Sequence, residues 1–141
     1  MRLPVTLFVL AFFLALTFSQ TGIKNGNNYM RDYLLADRLF RDAEKLSLQK
    51  NYNEEKEAEM NNRALSGFQR IIPGVKKAGN DSLAFFCHFK AGLLLHYFDS
   101  LQSAKSEYLE AILIKDRTPA IADSFLFQPL LFTGRIYYSL N

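Results

Sequence analysis

Tryptophan is missing from this sequence, and cysteine occurs once, as Cys87. A single thiol forms no internal disulfide, so packing alone has to hold the fold. Four prolines and seven glycines are too few for an all-β chain built on tight turns. The chain also lacks an excess of one charge: its formal net charge is only +3. Basic residues are scattered among acidic ones, so no nucleic-acid footprint is present. Histidine occurs twice, as His88 and His96. Eight residues apart on a helix, they would be separated by about 12 Å along its axis, too far to share one ion. Cys87 reads as a small buried hydrophobe rather than a nucleophile. Gly22-Ile23-Lys24-Asn25-Gly26 lacks the preceding strand and the closing Lys-Ser/Thr of a phosphate loop. The acidic run from Glu54 to Glu59 reads as a solvated helix face. The expectation is a non-catalytic protein with no cofactor and no metal.

What the sequence does contain is apolar and aromatic. Hydrophobic residues make up 49% of the 141 positions and aromatic ones 14%, enough for one folded domain with a modest core. The beginning has the order of a secretory signal peptide. Met1-Arg2 is a short positive start and Leu3 to Phe18 is apolar apart from Thr6 and Thr17. Thr17 and Ser19 are the small residues before a cleavage at Gln20. The predicted division is a signal peptide at 1–19, a polar linker at 20–29 and a helical domain at 30–141. Left uncleaved, the leader would be a membrane anchor. In either case the domain is expected outside the cytoplasm, periplasmic or secreted.

Two sets of residues repeat at a spacing near forty. Ala64-Leu65-Ser66-Gly67-Phe68 returns as Ala104-Lys105-Ser106-Glu107-Tyr108, with Ile71 matching Ala111, at an offset of 40. Asp81-Ser82, Phe85, Gly92 and Leu95 return as Asp123-Ser124, Phe127, Gly134 and Tyr137, at an offset of 42. A period of this length means stacked supersecondary units. Phe85, Phe89, Gly92, Leu93 and Leu95 to Phe98 predict a helix apolar around most of its circumference. After a turn at Asp99-Ser100, Leu101, Ala104, Tyr108, Ala111 and Ile112 at spacings of three and four predict an amphipathic partner. In the opening unit the helices are expected at 30–50 and from 54 onward, around Asn51-Tyr52-Asn53 as a turn. In the third unit Phe127 to Tyr138 is again apolar, with Pro129 in its first turn or at a kink.

Gly92, then Ala104 twelve residues on, Tyr108 four further and Ala111 beyond, resembles the tetratricopeptide repeat family in its exported bacterial form. His88 stands where that family carries an aromatic residue. Its closing proline would fall at Asp116, whereas the nearest is Pro119, and the period exceeds the family's thirty-four. The resemblance implies an all-α, helical-hairpin solenoid of about two and a half units, whose first helices line a surface that binds a protein or peptide. On that reading the partner-facing residues are Lys90, His96, Gln128 and Arg135, with Arg31 and Arg38 in the opening unit. The structural repeat positions are Ala64, Phe68, Gly92, Leu95, Ala104, Tyr108, Ala111, Gly134 and Tyr137. The apolar helix at 127–138 predicts the front part of a longer repeat protein, or a last helix completed by another chain. As an alternative function, similar exported arrays form the sensory input region of membrane-bound histidine kinases or helix-turn-helix regulators. A membrane would then be involved through a span beyond residue 141.

Overall fold

The computed structural model describes residues 26–140; the expected leader and linker residues 20–25 lie outside the described residues. Within them the chain is all-helical. The elements are α1 (Gly26–Ser47), α2 (Glu54–Lys77), α3 (Asp81–Tyr97), α4 (Leu101–Arg117), a 3-10 turn at Asp123–Leu126 and α5 (Phe127–Ser139). α1 thus begins at Gly26, inside the segment expected as linker, and ends at Ser47 rather than Lys50. Among the described residues no helix is long and apolar enough to cross a membrane.

Local chemistry sets the ends of these helices. Asn53 caps α2 by accepting from the Lys56 backbone N–H at 2.9 Å, and Asn80 caps α3 by accepting from that of Leu83 at 3.1 Å. Glu54, Glu55 and Glu57 open α2, and Lys76 and Lys77 close it, each sign at the end its dipole favours. Two tight turns use a left-handed residue, Gly79 at φ 68° and Asp99 at φ 56°. Each lets the next N–H reach back into the preceding helix, Asn80 to the Val75 carbonyl at 3.0 Å and Ser100 to that of Leu95 at 2.8 Å. α2 continues through Pro73, and just beyond it Gly74 lies against the Tyr29 ring and Val75 is buried in the core.

Each helix packs on the next, α1 on α2 through to α4 on α5. Neighbours run antiparallel. Tyr29 near the start of α1 meets Gly74 near the end of α2, and Arg117 at the end of α4 reaches Asp81 at the start of α3 at 3.5 Å. α3 lies in the middle, burying Leu83, Phe85, Cys87, Phe89, Ala91 and Leu94 among others, as its all-round apolar character predicted. α4 buries Ala104, Tyr108, Ala111 and Ile114 on one side only.

The two repeated sets behave differently. At the offset of 40, Ala64 and Ala104, Phe68 and Tyr108, and Ile71 and Ala111 are buried in both members. At the offset of 42 burial is not repeated: Phe85 is fully buried, whereas Phe127 is 68% exposed. α3 has a helix on each side. α5 packs on α4 and the 3-10 turn. Asp123-Ser124 lies in that turn rather than opening the helix, and Pro129 sits in the first turn of α5, where its missing N–H is not needed.

Candidate functional site

The residues expected to face a partner do not form one surface. Lys90 projects from α3 onto α1, with Nζ 3.4 Å from Asp37 Oδ1 and 4.3 Å from the centre of the Phe40 ring. Asp37 also holds Arg41 at 3.0 Å, so this corner fastens α1 to α3. Arg31 lies 3.6 Å from Asp32, and Arg38 lies 3.7 Å from Asp42 along α1. Gln128 is exposed in the first turn of α5.

His96 and Arg135 do come together. They line an open cleft of about 710 Å³ with Leu130, Leu131, Gly134, Tyr138 and Ser139. His96 is held by two rings, Tyr108 at 6.5 Å and Phe132 at 5.6 Å between centroids. Arg135 is exposed and is the one charged side chain of α5. Leu130, Leu131 and Tyr138 remain open to solvent, Tyr138 at 89%. Lys105 of α4 lies over the Tyr137 ring at 4.7 Å and adds a second cation at this end of the stack. The cleft thus combines apolar lining from Leu130, Leu131 and Tyr138 with one charged side chain, Arg135.

Elsewhere polar groups are drawn inward. His88 Nδ1 donates to Glu107 Oε2 at 2.6 Å, tying α3 to α4, while its Nε2 is buried without a hydrogen-bond partner. The acidic run is only partly solvated. Glu57 turns inward and accepts from the Tyr52 hydroxyl at 2.6 Å, whereas Glu54, Glu55 and Glu59 stay exposed. That hydrogen bond pushes the Tyr52 phenol up to about 12. The Tyr97 phenol is also pushed up, by burial and then by the Glu57 charge. Cys87 is sealed in the core, where burial raises its thiol to about 12 and keeps it protonated. Among the described residues no group of three or more His, Cys, Asp or Glu side chains is placed to hold a metal ion.

Sequence reasoning missed Asp37, Glu57 and Glu107 as partners. Each joins residues whose pairing leaves no periodic trace. Comparison with protein-family models, curated proteins and solved structures returns no match for this chain.

Proposed function

We propose that this protein is a tetratricopeptide-like helical scaffold, exported from the cytoplasm, which holds a protein or peptide segment and performs no chemistry itself. One observation carries this reading. Helix α5 leaves Leu130, Leu131 and Tyr138 exposed around a cleft edged by His96 and Arg135, and Phe127 exposed in its first turn. An apolar patch of this kind, with the charged Arg135 at its edge, marks a contact surface. The repeat reading draws support from the matched burial of Ala64 with Ala104 and of Phe68 with Tyr108. Gly92 adds to it by lying against the Tyr108 ring, as the family's small residue would. The absence of chemistry is argued from the core position of Cys87, whose thiol stays protonated.

Site-specific photo-crosslinking in the producing cells tests it. A crosslinker at Leu131 should trap a discrete partner, one at the exposed Gln69 of α2 should not, and Leu131→Glu should abolish the adduct while the helical circular dichroism persists. Equal trapping at both positions, or an adduct indifferent to Leu131→Glu, contradicts the reading.

A further inference from the structure

Both hairpins are keyed by a glycine beneath a tyrosine ring. A Cβ on Gly74 would lie 2.5 Å from the ring of Tyr29, and one on Gly92 would lie 2.6 Å from that of Tyr108. In each case the ring of one helix settles into the notch that a missing side chain leaves on its neighbour. Gly134 on α5 occupies the place of Gly92 in the repeated set, and a Cβ there would meet nothing within 4 Å. It lines the cleft with Leu130, Leu131 and Arg135, and α5 brings no acidic residue to it.

We infer that the outer face of α5 takes an amphipathic helix from a partner protein, with an aromatic ring of that helix over Gly134 and a carboxylate against Arg135. This rests on reading the chain as a partner-binding scaffold. A helix is the fitting occupant because the backbone hydrogen bonds of α5 are closed within it, which leaves side-chain packing as the means of attachment. The kind of helix is given by α4, where Ala104 and Ala111 are buried with Tyr108 against α3, while Glu107 and Glu110 reach His88 and Lys76 of neighbouring helices at 2.6 and 3.1 Å. Helix α4 of a folded second copy is not free to serve, since its Ala104 and Tyr108 are fully buried. The positive edge of the cleft selects the acidic neighbour.

A labelled peptide of the α4 sequence, residues 101–117, serves as the probe, titrated by fluorescence anisotropy into the full chain. Saturable binding is expected, and a scrambled peptide should bind far more weakly. Gly134→Ala should weaken binding about tenfold or more, with the thermal midpoint unchanged or raised because open space surrounds the new methyl. Tyr108→Ala in the peptide should weaken it equally, with no further loss when the two are combined. Arg135→Glu should weaken binding, and a peptide with Lys in place of Glu107 and Glu110 should restore it in part. Binding that ignores both Gly134→Ala and Tyr108→Ala but is lost with Leu131→Glu overturns the ring-and-notch pairing and leaves the scaffold reading standing. No saturable binding, or equal binding of the scrambled peptide, overturns this inference. The crosslink at Leu131 then decides the scaffold reading separately.

Discussion

The ring of Tyr108 lies over Gly92 and between Phe89, His96 and Phe132, with centroids at 6.2, 6.5 and 5.6 Å. Gly92→Ala would place a methyl inside that contact. Overpacking costs about 1–3 kcal/mol and the better helix propensity of Ala returns about 1 kcal/mol, so a net loss of up to about 2 kcal/mol is expected in urea unfolding. A gain in stability would show that the ring does not depend on the notch. Cys87 offers a pH test. Its folded thiol is raised from 9.0 to about 12 by burial, so its contribution is intact below pH 9 and is lost as pH rises toward 12. In the upper part of that range the unfolded chain releases a proton that the native chain keeps, a loss of roughly 1.4 kcal/mol per unit. Cys87→Ala should therefore show a shallower decline in urea midpoint between pH 9 and 11 than the parent; parallel declines would contradict burial as the cause. At this scale the sequence was legible where spacing alone speaks. Gly92, Ala104 and Tyr108 announced a close contact. Gly134 carries the same spacing signal without the contact, because a small residue permits a neighbour but does not supply one. The contact of Lys90 with α1 was not legible for a related reason: its partners Asp37 and Phe40 lie on a helix that no local pattern links to it.

Between elements, the α3–α4 hairpin is joined by one buried polar pair as well as by apolar packing. Glu107→Ala would leave His88 buried with both ring nitrogens unpartnered, at a cost of about 1–3 kcal/mol. Adding His88→Leu should recover most of that loss, since removing both polar partners is far less harmful than removing one. A double-mutant cycle in urea measures this, and strictly additive effects would show that the two side chains are not coupled. The helices themselves were readable from their periods, and the Asn53 cap falls in the turn expected at Asn51-Tyr52-Asn53, whereas the Asn80 cap was not anticipated. Their burial was less readable. α3 and α5 are nearly equally apolar in sequence, yet one is enclosed and the other open, because enclosure depends on how many helices lie alongside. Glu57 departs from its acidic run in the same way: its inward turn follows from the position of Tyr52 across the cap.

For the whole molecule, antiparallel helices stacked in chain order give a graded structure, with its densest packing at α3 and its most open face on α5. Stability should follow that gradient, because local opening is easiest where few apolar groups are enclosed. The open face is where the proposed partner would pack beside α5. Hydrogen exchange of the full chain, alone and with the trapped partner bound, measures both halves of this account at once. The slowest amides are expected at 85–94 in the free chain, with faster exchange along α5 and new protection on binding confined to 130–139. Exchange in free α5 as slow as in α3, or new protection appearing on α1 instead, would contradict it.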